Sequence, residues 1–129
     1  MASEMTERFM RTLQEMEESG DTRAMVELFT EGAELHRLTG DENASGRDGA
    51  QKFWQEYLSA FQKIRSRFTN VIETGNTAVM EWVSTAEPES AKPFEYEGVS
   101  IIEVEDGKVA RFRTYYDSAR FVPTTAKRG

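Results

Sequence analysis

The sequence contains no cysteine and a single histidine, His36. Without cysteine the chain can form no disulfide, no thiolate nucleophile and no thiolate metal site. One histidine cannot build a multi-histidine metal site, and it leaves one possible serine–histidine arrangement. The glycine-rich fingerprints that bind dinucleotides or nucleotide phosphates are also missing. We therefore expect no metal and no cofactor, and any chemistry must come from carboxylates, tyrosine, arginine or His36.

Positive charge is scarce as well. The chain carries 16 Lys and Arg against 23 Asp and Glu, a net charge of −7. Nucleic acids and anionic membranes bind proteins with clustered Lys and Arg, so we expect neither as a partner. The sequence has no run of 18 apolar residues and no basic-then-apolar leader. We interpret it on that basis as a cytoplasmic protein.

The remaining composition is typical of one packed domain. Hydrophobic residues make up 38% of the chain and aromatic residues 11%, which is enough for a core under a charged surface. A length of 129 residues suits a single domain over 1–129, with an ordered core at about 5–120. The tail at 121–129 has a basic end and no periodicity, so we expect it to wrap the body or fray.

Apolar residues at helical spacing predict three helices in the first half of the chain. Their predicted ranges are 3–18, 22–30 and 47–64. In the first, Phe9 and Leu13 lie on one apolar face. Ser3 is its predicted N-cap and Gly20 its stop, and Asp21 is the predicted cap of the second helix. The third helix carries an aromatic stripe that we expect in the core: Phe53, Trp54, Tyr57 and Phe61.

Runs rich in Val, Ile, Phe and Tyr predict strands in the second half. The predicted strands are 33–38, 66–74, 77–87 and the two arms of a hairpin at 94–117, with a polar loop at 39–45. Asp106-Gly107 between the arms is a strong two-residue hairpin signal. Helices followed by consecutive strands predict an α+β domain, a cone-shaped α+β barrel in which a strongly curved, mostly antiparallel sheet wraps the helices. Since the third helix cannot fill the concave face along its length, we expect a pocket at the wider end.

Three local motifs occur along the chain in a particular order and spacing. They are Gly20-Asp21 followed by Phe29-Thr30-Glu31-Gly32; Gly46-Arg47-Asp48-Gly49-Ala50 with Phe53-Trp54; and Asp106-Gly107-Lys108-Val109 leading to Arg113-Thr114-Tyr115-Tyr116-Asp117. Over about 5–120 the chain resembles the nuclear transport factor 2-like superfamily, in its SnoaL-like branch of polyketide cyclase and ketosteroid isomerase relatives. The resemblance implies this fold and a homodimer. It implies no single function, because the fold hosts isomerases, cyclases, epoxide hydrolases, dehydratases and binding modules.

The resemblance also implies where catalytic residues would lie, and other residue types stand there. The Asp, the oxyanion-hole Tyr and the protonated Asp of steroid isomerases fall at Arg37, at Phe9 and at Val99 or Ser100. The last-strand Asp, the Arg and the other Asp of limonene epoxide hydrolases fall at Thr114, Trp82 and Ser84. Because Thr and Ser do not serve as acid–base groups at neutral pH without a partner, we expect neither mechanism.

Strand alternation and the helical stripe predict which side chains face the pocket. The predicted ligand-binding residues are Arg37, Tyr57, Trp82, Ser84, Ser100, Phe112, Thr114 and Tyr116. A guanidinium beside hydroxyl donors and the Trp82 ring would suit a small planar carboxylate. The alternative is an ordinary ion pair at the pocket mouth between Arg37 and Asp41, Glu42 or Asp48.

These features favour a domain that binds a small organic molecule, in one form a carboxylate, in an apolar pocket. The first alternative is an isomerase, cyclase or lyase that uses His36, Tyr116 or Asp117 as acid–base groups. Against it, alternation puts His36 on the outer face, and Asp117 is expected to cap the next turn or pair with Arg120. A cavity above about 300 Å³ would favour the binding function, and a His36–carboxylate contact inside it would favour the enzyme.

The second alternative is a protein-interaction module. The predicted outer face of the sheet carries apolar residues between charged ones, which suits a two-fold contact with a second copy. The apolar residues are Val79, Val83, Val99 and Ile101, and the charged ones are Glu81, Glu95, Glu97, Glu103, Arg111 and Arg113. A solid core without a cavity would favour this interpretation.

Overall fold

Helices and strands follow one another much as the sequence predicts. The computed structural model describes residues 3–37 and 44–117. Within those ranges the elements are α1 (Glu4–Ser19), α2 (Arg23–Glu27), β1 (Phe29–Arg37), β2 (Ala44–Ser45), α3 (Gly46–Ser59), β3 (Lys63–Thr74), β4 (Thr77–Glu87), β5 (Phe94–Glu105) and β6 (Lys108–Tyr116).

All strands of the described chain belong to one sheet, in the order β2-β1-β6-β5-β4-β3. Neighbours from β3 to β6 are antiparallel, whereas β1 runs parallel to β6. Asp106 and Gly107 both have positive φ in the hairpin between β5 and β6, as the predicted two-residue turn requires. The helices pack against the curved sheet in the predicted cone-shaped α+β fold, but the sheet is mixed and open, with β2 and β3 as its edges.

The first helix is tied down at both ends. The Ser3 hydroxyl accepts a hydrogen bond from the Thr6 amide, and Gly20 ends the helix at φ 78°, as predicted. Glu73 on β3 accepts bonds from the Ser3 amide and the Thr6 hydroxyl, which lowers the pKa of Glu73. A carboxylate is favoured at this end because the helix N-terminus is electropositive. These contacts set α1 across the concave side of the sheet.

Several predicted bounds are wrong. The second helix stops at Glu27, because Leu28 and Phe29 lead into β1 four residues earlier than predicted. The third helix ends at Ser59, and Ile64 lies in β3 opposite Ala86. The apolar spacing that extended the helix to 64 thus belongs to a buried strand position. Within the predicted loop at 39–45, Ala44–Ser45 is β2; residues 38–43 and the tail at 121–129 lie outside the described residues.

The core consists of two hydrophobic clusters under the concave face. The larger contains the fully buried Phe9, Phe29 and Leu35 and holds the helices against β1, β5 and β6. The smaller contains Ile64, Trp82, Ala86 and Tyr96. Tyr57 and Phe68 pack against both clusters. The predicted pocket is lined by residues of both clusters and by Tyr57.

Candidate functional site

A partly enclosed cavity of about 100 Å³ lies between α1, α3 and the concave face of the sheet. The structure brings all eight predicted ligand-binding residues into its wall: Arg37, Tyr57, Trp82, Ser84, Ser100, Phe112, Thr114 and Tyr116. They meet because inward positions of β1, β4, β5 and β6 lie beside one another in the sheet, and because the end of the α3 stripe closes the space above them. Their binding role stays a prediction.

The cavity is smaller than the roughly 300 Å³ that the sequence interpretation required. Large rings take up the room: Trp54 and Phe112 are centred 5.2 Å apart, and Trp82 and Tyr96 5.5 Å apart. At about 100 Å³ the space does not admit a steroid-sized or drug-sized molecule. It suits a small, flat one.

Arg37 lies where the cavity wall reaches solvent. Its Nη2 is 3.2 Å from Oε1 of Glu56 on α3, and the two side chains are 26% and 52% exposed. The guanidinium carbon also lies 4.3 Å from the centre of the Phe53 ring. The partner is therefore Glu56 and not Asp48; the other predicted partners, Asp41 and Glu42, lie outside the described residues. The ion pair holds the guanidinium against the ring at the cavity opening.

A first set of polar side chains crosses the middle of the wall. The Trp82 indole N–H donates to the Ser100 hydroxyl at 2.9 Å, and Ser100 shares a second bond of 2.9 Å with Thr114. A Cβ on Gly98 would lie 2.4 Å from Trp82 Cζ2 and 2.5 Å from the Tyr115 carbonyl oxygen. The missing side chain at Gly98 is thus what lets the Trp82 ring lie across β5. All three polar side chains are buried.

A second set centres on Glu17, which the sequence interpretation did not select. The Tyr57 hydroxyl donates to Glu17 Oε2 at 2.5 Å, the Ser66 hydroxyl donates to the same oxygen at 2.6 Å, and the Ser66 amide donates to Oε1 at 2.8 Å. Ser84 lies 2.6 Å from Ser66, oxygen to oxygen. The carboxylate is thereby joined to three hydroxyls of the cavity wall.

Burial raises the pKa of Glu17 above its ordinary value of 4.5, although the bonds from Ser66 and Tyr57 and the charge of Arg65 oppose the rise. Burial also raises the pKa of Tyr57, and the nearby Glu17 charge adds to that effect. Tyr96 likewise has a raised pKa because of burial and the neighbouring Tyr116. The phenols therefore stay protonated and act as donors, while Glu17 can change charge closer to neutral pH.

The helix pattern contained a signal for Glu17. Phe9, Leu13 and Glu17 follow one another at steps of four residues, which places all three on one face of α1. Phe9 and Leu13 are buried, so the carboxylate lies at the end of an apolar stripe. The sequence interpretation took every Glu of this helix to face solvent and therefore missed Glu17.

The three predicted acid–base candidates do not come together. Tyr116 lines the cavity, with its ring 5.8 Å from that of Tyr96. His36 lies on the outer face of the sheet, with its ring 6.0 Å from that of Tyr115, and the exposed Asp117 borders another outer hollow. Those hollows, at about 520 and 550 Å³, are larger than the cavity. They are lined largely by polar and charged side chains, so we regard the smaller inner cavity, with its mostly aromatic wall, as the site.

The indole N–H of Trp54 adds an unusual feature to the wall. The side chain is 2% exposed, and its Nε1 has no hydrogen-bond partner within the described residues. Buried donors are nearly always paired, and an unpaired one costs about 1–3 kcal/mol. Trp54 borders the cavity, and its Nε1 atom is itself buried.

The outer face of the sheet carries the predicted mixture of apolar and charged residues. Val79, Val83, Val99 and Ile101 are half-buried there. Arg113 lies 2.8 Å from Glu103, and Arg111 lies 3.7 Å from the same carboxylate and 3.8 Å from Glu34. Some of the charges expected to pair across a dimer are thus paired within one chain. The homodimer stays a prediction.

Metal-binding clusters and membrane-spanning helices are both absent from residues 3–37 and 44–117. No group of three His, Asp or Glu side chains there is placed to hold a metal ion. No helix of this part of the chain is long and apolar enough to span a membrane.

Comparison with known proteins gives matches to one family and one fold. The family model of the SnoaL-like domain matches residues 6–112. An NTF2-like protein from Anabaena variabilis is 16% identical, with a TM-score of 0.80 over 92% of this chain and 95% of that chain. A search of curated proteins found no match.

Two similar solved structures contain small molecules. TerC, co-crystallised with polyporic acid, is 16% identical with a TM-score of 0.80 over 92% of this chain and 95% of that chain. A protein of ketosteroid isomerase-like fold from Catenulispora acidiphila, in complex with trimethylamine, is 13% identical with a TM-score of 0.78 over 91% of this chain and 88% of that chain. At these identities the likeness establishes a shared fold.

Proposed function

Because the chain belongs to the SnoaL-like domain family, whose fold serves small-molecule binding as well as isomerase and cyclase chemistry, we propose that it binds a small organic molecule in the cavity beneath α3. The observation that carries the proposal is the wall itself, which is mostly aromatic with a few hydroxyls and one ion pair, between Arg37 and Glu56. Apolar walls with a few placed polar groups are the usual composition of ligand sites. The cavity volume limits the ligand to a single ring or a short chain.

A carboxylate is the ligand group that Arg37 suits best. Glu56 already places a carboxylate oxygen 3.2 Å from the guanidinium, so the geometry accepts that group. Glu56 is 52% exposed, and an exposed ion pair is worth less than about 1 kcal/mol, so a ligand carboxylate can replace it at little cost. Phe53 holds the guanidinium in place for such an exchange.

Calorimetric titration with benzoate and benzamide tests the proposal, since the two probes share a shape and differ in charge. We expect benzoate to bind the wild type and to bind Arg37→Gln at least tenfold more weakly, with benzamide unaffected by the substitution. Arg111→Gln is the matched control because Arg111 lies on the outer face. If neither probe binds, the cavity is not a ligand site. If Arg37→Gln bound benzoate as tightly as the wild type, the proposed role of Arg37 in binding the carboxylate would be wrong, but the cavity would remain a ligand site.

A small amine is the second ligand class. The Catenulispora acidiphila relative was solved in complex with trimethylamine, and here the rings of Trp82, Tyr96 and Tyr116 pack edge to face in the wall. Aromatic faces attract ammonium groups. Titration with trimethylammonium chloride, against tert-butanol as the uncharged probe of similar shape, tests this class. Binding of both probes with equal affinity would contradict it.

An isomerase, cyclase or lyase is the alternative function. Of its proposed acid–base groups, Tyr116 is the one in the cavity wall. Loss of turnover in Tyr116→Phe, for any carbonyl substrate found to react, would support it. Unchanged turnover would count against it.

We also propose that the outer face of the sheet pairs with a second copy of the chain. The half-buried Val99 lies between Glu81 and Tyr115 of the neighbouring strands, on the face where apolar residues alternate with charged ones. Light scattering coupled to gel filtration should give the mass of a dimer for the wild type and of a monomer for Val99→Arg. A wild-type monomer at 100 μM, a concentration of about 10⁻⁴ M typical of weak association, would refute this contact.

A further inference from the structure

Glu17 touches both the cavity wall and a groove on the surface. On the cavity side it accepts bonds from Tyr57 and Ser66, which line the cavity. On the other side it borders a solvent groove beside Gln14, Glu18 and Arg65. A titratable group in this position can exchange protons with water on one side and with the hydroxyls of the wall on the other.

The donors around Glu17 fix the direction of the hydroxyl chain. The Ser66 hydroxyl has one hydrogen, and the 2.6 Å contact with Glu17 Oε2 uses it, because an ionised carboxylate can only accept. The 2.6 Å contact between Ser66 and Ser84 must therefore be a donation from Ser84. Ser84 is left with acceptor capacity on the cavity side, where Tyr96 also forms a hydrogen bond with it.

We propose that Glu17 is the acid–base group of this cavity, and that it exchanges a proton with a bound ligand hydroxyl through Ser66 and Ser84. The inference rests on the small-molecule binding proposed above and adds to the ligand an O–H group, that of an alcohol, phenol or enol, at the end that meets Ser84. The step transfers one proton, and no other bond of the ligand or of the protein is made or broken.

The transfer balances along the chain of oxygens. The ligand O–H gives its proton to Ser84, Ser84 gives its own to Ser66, and Ser66 gives its own to Glu17. Each serine remains a hydroxyl, the ligand becomes an oxyanion, and Glu17 becomes a carboxylic acid that can release the proton to the groove. The reverse sequence returns the proton to the ligand oxygen.

The surroundings of Glu17 have opposing effects on its pKa, so neither the charged nor the neutral carboxyl group is strongly disfavoured. Burial raises its pKa, whereas the positive Arg65 on β3 opposes the rise. The phenols that face it, Tyr57 on α3 and Tyr96 on β5, have raised pKa values and stay neutral. Glu18 on the same helix shares the groove and is exposed. The group that gains and loses the exchanged proton is therefore Glu17, whereas the tyrosines keep their own protons.

Carbon-13 NMR titration of the Glu17 carboxyl group, with phenol and toluene as probes, tests the relay. The probes share a shape, and phenol alone has an O–H. A phenol hydroxyl that donates to Ser84 strengthens the chain of bonds to the ionised carboxylate, so phenol should lower the Glu17 titration midpoint in the wild type. Toluene should not lower it. In Ser84→Ala the effect of phenol should vanish while toluene binding, followed by ring-current shifts of the Trp indole signals, persists.

The result separates the relay from the binding function. If toluene and phenol bind but shift the Glu17 midpoint equally, or if Ser84→Ala keeps the phenol effect, the relay is refuted and the ligand site remains. If neither probe binds, both proposals fail. Ser100→Ala is the matched control, because it removes a buried cavity hydroxyl that contacts Trp82 and Thr114 and lies outside the chain to Glu17. The phenol effect should survive in that variant.

Discussion

Two charged groups at the cavity, Arg37 and Glu17, differ in almost every respect, whereas the third, Glu56, is the partner of Arg37. Arg37 lies at the opening, 26% exposed, and is neutralised by one contact of 3.2 Å with a carboxylate that is itself half exposed. Glu17 lies on α1 against β3, where three donors reach it at 2.5–2.8 Å, and it forms no salt bridge within the described residues. The guanidinium can change partners cheaply, whereas the carboxylate is bonded into the wall.

The difference shows how a charge becomes important to a site. A charged residue at an inward strand position, such as Arg37, can be identified from strand alternation. At the cavity opening, however, a single exposed carboxylate is enough to neutralise it. A charge at the end of a buried helical stripe, such as Glu17, must be satisfied by neighbours because water reaches it poorly. We therefore expect substitutions on the Glu17 side to affect folding, and substitutions on the Arg37 side to affect binding.

The largest effect should come from Glu17→Ala. Removing the carboxylate leaves the Tyr57 hydroxyl and the Ser66 amide and hydroxyl without their acceptor. An unsatisfied buried donor costs about 1–3 kcal/mol, and partial access of water from the groove reduces the sum to about 2–3 kcal/mol. Urea unfolding at pH 7 measures the loss. A loss below about 1 kcal/mol would mean that the carboxylate is no more tightly held than Arg37.

Gly98→Ala should come next, since it disturbs the wall between the two charges. The added Cβ would overlap the Trp82 ring and the Tyr115 carbonyl oxygen. Forced repacking of this kind costs about 1–3 kcal/mol and should move the Trp82 N–H away from Ser100. Urea unfolding and the indole N–H chemical shift report the two changes. The exposed Gly32, where a Cβ meets no atom within 4 Å, gives the control Gly32→Ala.

A smaller, pH-dependent effect should distinguish Glu17 from its uncharged isostere. The raised pKa of folded Glu17 means that its stabilising contribution is complete below the unfolded value of about 4.5 and is lost as the pH rises through the folded value. The wild type should thus lose stability relative to Glu17→Gln between pH 4 and pH 8. A tenfold difference between the folded and unfolded acid dissociation constants corresponds to about 1.4 kcal/mol. Urea unfolding of both proteins at pH 4 and pH 8 measures this change. The raised pKa is contradicted if the difference in unfolding free energy between the wild type and Glu17→Gln stays constant or changes the other way.

The smallest effect on folding should be that of Arg37→Gln. The ion pair with Glu56 is exposed, so its loss should cost less than about 1 kcal/mol. The glutamine stem can retain part of the packing on Phe53. Urea unfolding should place this variant within that limit of the wild type. If Arg37→Gln lost as much unfolding free energy as Glu17→Ala, the proposed difference between the exchangeable Arg37 and the tightly bonded Glu17 would be wrong.

The inner face of the sheet was predictable where strand alternation is unbroken, as it is along β4 and through residues 112–116 of β6. Once Thr114 is assigned inward, Phe112 and Tyr116 follow, and the antiparallel register brings Ser100 beside Thr114. Helix ends were less predictable, since an apolar residue at 64 fits both a helix stripe and a strand. Glu17 was missed because a carboxylate on a helix is usually solvated, and its donors are 40 and 49 residues away in the sequence.

By itself the sequence determined the order of the three helices and the five longer strands, the turn at Asp106-Gly107 and the inward faces of β1, β4, β5 and β6, because these follow from local spacing and backbone preference. The tertiary structure alone decided that the cavity is about 100 Å³, that Arg37 pairs with Glu56, and that Glu17 joins the wall. Volumes and partners depend on how distant elements pack, and ring packing within the cone has no signature in local spacing.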